Sequence, residues 1–206
     1  SPFLAIEASI EILSDPKTDE EDRDLVLKSL NRKSETTLAL LNNLLFWSQG
    51  QTDSIKFEPE PIYLEEVEAS VNGVLRILAE EKKLSLNINF EPGVAVFADR
   101  NMLDSIIRNL ISNAVKFSNN GSSIELTGKY GEGSVVFTVE DHGVGMSEHV
   151  VKKLRQKTPF TIDGTSNESG HGIGLVLVHQ FISAHDSILE VSSEKGIGTI
   201  FQFKIK

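Results

Sequence analysis

The chain has 206 residues, of which 39% are apolar and 24% are charged, and its formal net charge is −10. These values are typical of a globular protein with room for one ordinary domain and a smaller element. The negative charge argues against nucleic acid as the main partner, because no general positive field attracts a polyanion. The sequence has no cysteine, which excludes disulfides and thiolate metal sites. It also has no apolar run of about 18 residues, so no membrane contact is expected from these residues.

Two helices are predicted in the first 50 residues. Apolar residues recur at helical spacing over residues 3–13, and a turn follows at Pro16. A longer helix is predicted over residues 20–48, with an apolar seam of nearly heptad spacing. Two helices joined by a short turn cannot bury both stripes alone, so a second copy of the chain is expected to complete a four-helix bundle. The alternative is a helical hairpin that docks on the domain that follows.

Residues 51–206 are predicted to form a second domain. Residues 49–63 have two prolines and no helical period, which indicates a linker that enters a first strand at residues 55–58. The other predicted helices cover residues 64–81, 99–117, 147–154 and 173–184, and the strands cover residues 84–90, 94–98, 122–130, 134–141, 187–193 and 198–206. Helices interleaved with mostly antiparallel hairpins predict an α+β fold, a two-layer α/β sandwich with one sheet and its helices on one face.

The helix predicted over residues 99–117 carries a polar trio. Asn109, Asn113 and Lys116 fall within a narrow sector that the apolar stripe leaves free, since each residue advances by roughly 100° around a helix. An amide oxygen can ligate a hard cation that also holds phosphate and water oxygens, and a lysine adds charge for the phosphates. The trio therefore predicts a magnesium–polyphosphate site. The alternative is the solvated side of an ordinary helix.

Two glycine-bearing segments follow that helix. Asp141 ends a strand and precedes Gly143 and Gly145, which let a ligand approach the backbone, and a carboxylate at this place suits an amino-bearing heterocycle. The segment GHGIGL, residues 170–175, opens a helix, where free N–H groups and the helix dipole favour phosphate. A tight turn and a plain loop-to-helix turn are the alternative interpretations. No GxxxxGK[ST] motif occurs, which excludes a P-loop.

Four motifs in this order resemble those of the sensor histidine kinases of two-component systems. NLISNAVKFS at 109–118 resembles their N box, VEDHGVGM at 139–146 the first glycine box, TPF at 158–160 the end of a degenerate F box, and GHGIGL the second glycine box. The resemblance is strong over residues 56–206 and looser before them. It implies a catalytic ATP-binding domain of the GHKL (Bergerat) type over residues 51–206. It also implies a dimerisation and histidine-phosphotransfer hairpin over residues 1–50.

The resemblance implies a role for each matching residue. Asn113 is the first choice for a ligand of Mg²⁺ and Asn109 the second, while Asn109 and Lys116 are the expected catalytic residues, with Lys116 on phosphate. Asp141 is expected to read adenine. The resemblance implies nucleotide contacts at eight further positions: Gly143, Gly145, Thr158, Gly170, His171, Gly172, Gly174 and Leu175. Residues 155–169 between the glycine boxes are expected to form a lid, in which Arg155 and Lys157 are candidates for the γ-phosphate.

Two positions depart from the family pattern. His142 stands inside the expected pocket where the family usually has Asn, and Leu154 replaces the usual earlier Phe of the F box. These departures leave an alternative function open, an ATP-binding regulatory module or scaffold with weak catalysis.

Ser1-Pro2-Phe3 resembles the end of the family's H box, so the phosphoacceptor histidine is expected just before Ser1. The five histidines of the chain, at positions 142, 149, 171, 179 and 185, all lie after the two predicted helices. The sequence is therefore expected to be a piece cut after the H box, which cannot phosphorylate its own usual acceptor. It is expected to be cytoplasmic, either as a free protein or as part of a membrane-anchored sensor.

One position separates two chemistries of the wider fold. In hydrolytic relatives such as gyrase and MutL, a Glu one turn before the metal-binding Asn acts as general base on water, whereas Asn109 occupies that place here. An amide cannot take a proton at neutral pH, so transfer to another nucleophile is expected rather than hydrolysis. The resemblance implies transfer from Mg-ATP to the histidine and then to an aspartate on a response-regulator receiver domain. A homodimer through the hairpin is also expected.

Overall fold

The chain divides into two compact units, Ser1–Asp53 and Ser54–Lys206. The computed structural model describes residues 2–14, 18–20, 22–30, 56–71, 74–155, 165 and 174–206. The predicted domain division at residue 50 and the predicted helix beyond residue 30 lie outside these ranges.

The first unit contains α1 (Pro2–Ser14) and α2 (residues 22–30). Asp19 caps α2, because its carboxylate accepts a hydrogen bond of 2.8 Å from the Asp22 N–H. Among the described side chains of this unit, four large apolar ones are 45% to 59% exposed: Ile10, Ile12, Leu25 and Leu27. The homodimer expected through this unit stays a prediction.

The second unit has seven strands and five helices among its described residues. In chain order they are β1 (Glu60–Tyr63), α3 (Leu64–Val71), α4 (Val74–Glu81), β2 (Ser85–Phe90), β3 (Ala95–Ala98), α5 (Arg100–Phe117), β4 (Ser123–Gly131), β5 (Ser134–Asp141), α6 (Glu148–Arg155), α7 (Gly174–Ala184), β6 (Glu190–Glu194) and β7 (Gly198–Ile205). The helix expected over residues 64–81 is thus described as α3 and α4. No described helix is long and apolar enough to cross a membrane.

The main sheet has the strand order β2-β4-β5-β7-β6. Strand β2 is parallel to β4, and the other neighbours are antiparallel. Alternate residues of β5 are buried, as expected for a sheet that is covered on one face. In the core, the Phe137 ring stacks on Phe203 with centroids 5.1 Å apart and meets Phe90 edge-on at 6.0 Å.

Strands β1 and β3 form a separate antiparallel sheet, which corrects two expectations. The first strand begins at Glu60 rather than at residue 55, and the fold has two sheets rather than one. Pro61 has no N–H to donate, so this strand suits a short ladder with a single neighbour. Just before the strand, the Glu58 N–H donates to the Asp99 carboxylate at 3.0 Å instead of to another strand.

Helix α5 is the centre of the helical layer. Asp99 caps its N-terminus by accepting from the Met102 N–H at 3.1 Å. Eight of its residues are buried: Met102, Leu103, Ile106, Ile107, Leu110, Ile111, Ala114 and Val115. The helix packs on β4 and β5 and against α3, α4 and α7. A sheet with helices packed on it confirms the predicted α+β class and its α/β sandwich.

Candidate functional site

Asp141 ends β5 and is only 5% exposed. Its Oδ1 accepts a hydrogen bond of 3.0 Å from the Gly143 N–H. Burial raises the pKa of Asp141 to about 6, although hydrogen bonds from the backbone N–H groups of Gly143 and Thr199 lower it. The carboxylate is therefore mostly ionised at neutral pH in a largely desolvated place, where a hydrogen bond to it is strong.

The loop after Asp141 lies directly against the C-terminal end of α5. A Cβ atom at Gly143 would lie 2.3 Å from the Phe117 carbonyl oxygen and 2.9 Å from Asp141 Oδ1. The Val144 N–H donates to the same Phe117 oxygen at 3.0 Å. Since no side chain fits at residue 143, the first glycine motif brings the Asp141 carboxylate beside the helix that carries the polar trio.

The turn between β6 and β7 holds this loop from the other side. Gly145 has a φ of +60°, and a Cβ there would lie 1.9 Å from the Glu194 carbonyl oxygen. Gly198 has a φ of +144°, and its Cβ would lie 1.9 Å from the Asp141 carbonyl oxygen. Both positions therefore require glycine. The sequence patterns did not single out Gly198, although its place beside Gly196 at the start of the last strand was a signal.

Ser193 was also missed, and its sequence context gave no signal. Its Oγ accepts from the Met146 N–H at 2.8 Å and donates to the Gly198 carbonyl oxygen at 2.8 Å. Ser193 Oγ also lies 2.9 Å from Thr199 Oγ1. A single hydroxyl thus joins the loop that follows Gly145 to the β6–β7 turn.

Asn109 of the polar trio faces the start of α7. Its Nδ2 donates to the Ser105 carbonyl oxygen at 2.8 Å, and a Cβ at Gly174 would lie 2.6 Å from its Oδ1. The structure therefore brings two predicted site residues, Asn109 and Gly174, into contact across two helices. Asn113, Lys116 and Leu175 are half-buried on the same two helices. The Lys116 ammonium lies 5.0 Å from the centroid of the Phe117 ring.

Four predicted contacts lie outside the described residues: Thr158, Gly170, His171 and Gly172. Lys157 lies there too, with the rest of the expected lid except Arg155 and Thr165. The Thr165 N–H donates to the Lys116 carbonyl oxygen at 3.2 Å. Its Oγ1 lies 3.1 Å from that oxygen and 3.0 Å from the Ser118 carbonyl oxygen.

Two expectations about side chains are corrected. Arg155 ends α6 instead of opening a lid, and its guanidinium donates to the Val191 carbonyl oxygen of β6 at 3.1 Å. The His142 side chain is 48% exposed, and its Nδ1 lies 3.3 Å from Ser123 Oγ at the start of β4. Successive side chains of a strand point to opposite faces, so the inward Asp141 turns His142 outward.

The described residues contain no group of three or more His, Asp or Glu side chains that could hold a metal ion. A cation at this site would therefore depend on amide oxygens together with phosphate and water oxygens, a donor set that suits Mg²⁺. The Asn109 amide fits this role, because its Nδ2 donates to the Ser105 carbonyl oxygen and its Oδ1 therefore faces the start of α7.

Known proteins are similar to this chain in sequence and in fold. The family described as Histidine kinase-, DNA gyrase B-, and HSP90-like ATPase matches residues 98–206. The autoinducer 2 sensor kinase/phosphatase LuxQ of Vibrio cholerae is 29% identical over 211 residues, which cover 100% of this chain and 24% of LuxQ. Sensor histidine kinase YclK of Bacillus subtilis is 27% identical over 207 residues, which cover 100% of this chain and 44% of YclK. The chain thus spans less than half of either relative.

Two solved structures have the same fold. Acinetobacter baumannii histidine kinase AdeS superposes with a TM-score of 0.72 at 21% identity, over 100% of this chain and 95% of that one. The catalytic domain of histidine kinase ThkA superposes with a TM-score of 0.62 at 21% identity, over 72% of this chain and 95% of that one.

Proposed function

The chain belongs to the Histidine kinase-, DNA gyrase B-, and HSP90-like ATPase family, and from this we propose that it is the ATP-binding and kinase core of a two-component sensor histidine kinase. Residues 51–206 bind Mg-ATP, and the γ-phosphoryl group passes to the phosphoacceptor histidine of a phosphotransfer hairpin and then to an aspartate of a response-regulator receiver domain. The observation that carries the proposal is that one unit brings Asp141 beside Gly143 and Asn109 beside Gly174.

Asp141 reads the base in this proposal. An ionised carboxylate only accepts hydrogen bonds, so it pairs with the exocyclic amine of adenine. Guanine presents a carbonyl oxygen at the corresponding place, and two acceptors that face each other in a desolvated pocket repel. Burial of Asp141 makes this discrimination stronger than it would be in water.

The residues of α5 and α7 hold the triphosphate. Asn113 and Asn109 supply amide oxygens for Mg²⁺, and Lys116 supplies positive charge for the phosphates. The N-terminus of α7, which begins at Gly174, offers backbone N–H groups to phosphate. Mg²⁺, when bound, neutralises charge on the phosphates. Asn109 cannot accept a proton from water, which favours transfer to histidine over hydrolysis.

A second candidate is an ATP-binding regulatory module or scaffold with weak catalysis. The position of Arg155 favours it, because this guanidinium binds the Val191 carbonyl oxygen at the edge of the sheet and not a residue of the polar trio. The names of the relatives LuxQ and YclK support the kinase instead, together with the intact Asn109 and Asn113.

Calorimetric titration with a non-hydrolysable ATP analogue, with and without Mg²⁺, tests the site. We expect Asp141→Asn to weaken binding at least about tenfold and Asn113→Ala to remove the dependence on Mg²⁺. The matched control is Asn101→Ala, an exposed amide in the first turn of the same helix, which should bind as the native chain does. No binding by the native chain would refute the proposal.

Phosphotransfer separates the two candidates. The chain is incubated with γ-labelled ATP and a separate phosphotransfer hairpin that carries an acceptor histidine, and label on that histidine is measured. Labelling that Asn109→Ala removes supports the kinase. Tight nucleotide binding without labelling supports the regulatory module.

A further inference from the structure

Lys82 joins three segments of the second unit. This half-buried residue follows α4, and its Nζ donates to the Val115 and Lys116 carbonyl oxygens, each at 2.9 Å. It also donates to Thr165 Oγ1 at 2.7 Å. An ammonium has three N–H donors, which matches these three acceptors. Two of the acceptors belong to the last turn of α5 and the third to the stretch between the glycine motifs.

The end of α5 needs such a donor. The last carbonyl groups of a helix have no partner within it, and they form the negative end of the helix dipole. The Phe117 carbonyl oxygen accepts from the Val144 N–H at 3.0 Å. Lys82 supplies both hydrogen bonds and a positive charge to the two carbonyls just before it. The last turn is thus fixed from the Asp141 loop on one side and from Lys82 on the other.

The backbone at Lys82 is itself fixed. The Lys82 N–H donates to the Ala79 carbonyl oxygen at 3.1 Å, and the Leu84 N–H donates to the same oxygen at 2.8 Å. Lys83 between them has a φ of +55°, the left-handed conformation that ends a helix. Lys82 is thereby directed toward α5, while Lys83, with the same charge, is exposed.

We propose that Lys82 is a positioning residue for the phosphate side of the nucleotide site, a role that rests on the proposed function. Without its ammonium, the Val115 and Lys116 carbonyls lose these donors and Thr165 Oγ1 loses its hydrogen bond from Lys82. The backbone that carries Asn113 and Lys116 is then less well aligned for a triphosphate. The Asp141 end keeps its own contact, from Val144 to Phe117.

The test compares two ligands that differ on the phosphate side. We expect Lys82→Met to weaken binding of the Mg²⁺-loaded non-hydrolysable ATP analogue about tenfold. This is the size of loss expected when a group that orients metal-binding residues is removed. Binding of AMP, which depends on the base, should change less than about twofold because Asp141 is untouched. Lys82→Arg keeps the charge and donors and should restore most of the loss. Lys83→Met is the matched control and should bind both ligands as the native chain does.

Three outcomes overturn the inference. They are an equal loss for both ligands, no loss for either, and a loss that Lys82→Arg does not relieve. If Lys82→Met fails to fold, Thr165→Val removes one of the three acceptors and must weaken the triphosphate analogue selectively. Failure of the native chain to bind the analogue would instead refute the proposed function, so the two failures are distinguishable.

Discussion

The two ends of the site are built in different ways. The carboxylate end, residues 141–145 with Gly198, is formed by main chain against main chain, where a Cβ at residues 143, 145 or 198 would lie 1.9 to 2.3 Å from a carbonyl oxygen. The amide end consists of Asn109, Asn113, Lys116 and Gly174 and is formed by side chains. At this end, a Cβ at Gly174 would lie 2.6 Å from the amide oxygen at the tip of the Asn109 side chain.

This difference separates stability from binding. Backbone in a sheet or at a helix end cannot move without breaking its hydrogen bonds, so the carboxylate end has its geometry before any ligand arrives. A side-chain tip can rotate away at a small cost. Substitutions of the glycines at the carboxylate end should therefore lower the stability of the domain, whereas substitutions at the amide end should mainly lower affinity for the ligand.

The largest effect is expected for Gly198→Ala. The new methyl group would collide with the Asp141 carbonyl oxygen, and φ at this residue is +144°. We expect the free energy of unfolding to fall by about 3 kcal/mol or more, measured by chemical denaturation. Gly196→Ala is the control, since φ is +85° but nothing lies within 4 Å, and it should cost only about 1 kcal/mol. If both substitutions lower the free energy of unfolding equally, the close approach of residue 198 to the Asp141 carbonyl oxygen does not fix the carboxylate end.

Asp141→Asn should separate binding from stability within the carboxylate end. It keeps the shape but replaces an acceptor with a group that also donates, and hydrogen bonds to charged groups contribute about 1.5–3 kcal/mol. We expect a loss of adenine-nucleotide affinity of at least about tenfold. The free energy of unfolding at neutral pH should rise, because a buried charge is removed. Glu140→Gln alters a neighbouring carboxylate on the other face of β5 and should change neither quantity appreciably. A loss of both affinity and stability in Asp141→Asn would contradict this expectation.

The pKa of Asp141 predicts opposite pH dependences for stability and binding. It is about 6 in the folded chain, against an ordinary value of 3.8. Between these values the folded state holds more protons than the unfolded state, so the contribution of Asp141 to stability falls as pH rises from 3.8 to 6. Nucleotide binding needs the ionised carboxylate, so affinity should fall by up to about tenfold per pH unit below pH 6.

Denaturation and titration between pH 4 and pH 8 measure both trends. At each pH, the free energy of unfolding and the nucleotide affinity of Asp141→Asn are subtracted from those of the native chain, which cancels the contributions of the other titrating groups. A difference that does not vary with pH would place the pKa of Asp141 at its ordinary value.

Local pattern predicted much of the fold and part of the site. The apolar stripe along α5 is a property of neighbouring residues, and the helix that it predicts is confirmed. The alternating pattern of β5 was also sufficient to predict the orientation of His142, since the neighbour of a buried Asp141 points outward. The pairing of β1 with β3 could not be predicted, because a four-residue strand that contains a proline has no pattern that selects its partner.

The missed residues act across the fold. Ser193 and Lys82 have ordinary local sequence contexts, and both residues, like Gly198, matter through contacts with segments distant in the chain. Close backbone approaches and caps of helix ends depend on tertiary packing, which residue periodicity does not encode. The polar trio of the amide end could be recognised in the sequence because one helix carries all three residues.

The smallest change in stability is expected for Gly174→Ala, which tests the amide end. Alanine favours a helix over glycine by up to about 1 kcal/mol, so the free energy of unfolding should change little or rise. The new methyl group displaces the Asn109 amide, and the affinity for the Mg²⁺-loaded ATP analogue should fall a few-fold, by less than about 1.4 kcal/mol. This steric clash requires both the new methyl group and the Asn109 side chain. In an Asn109→Ala background, Gly174→Ala should therefore cause no further loss of affinity. An equal loss in both backgrounds would show that the effect arises from the start of α7 itself, and that the contact between Asn109 and Gly174 does not set the geometry of the amide end.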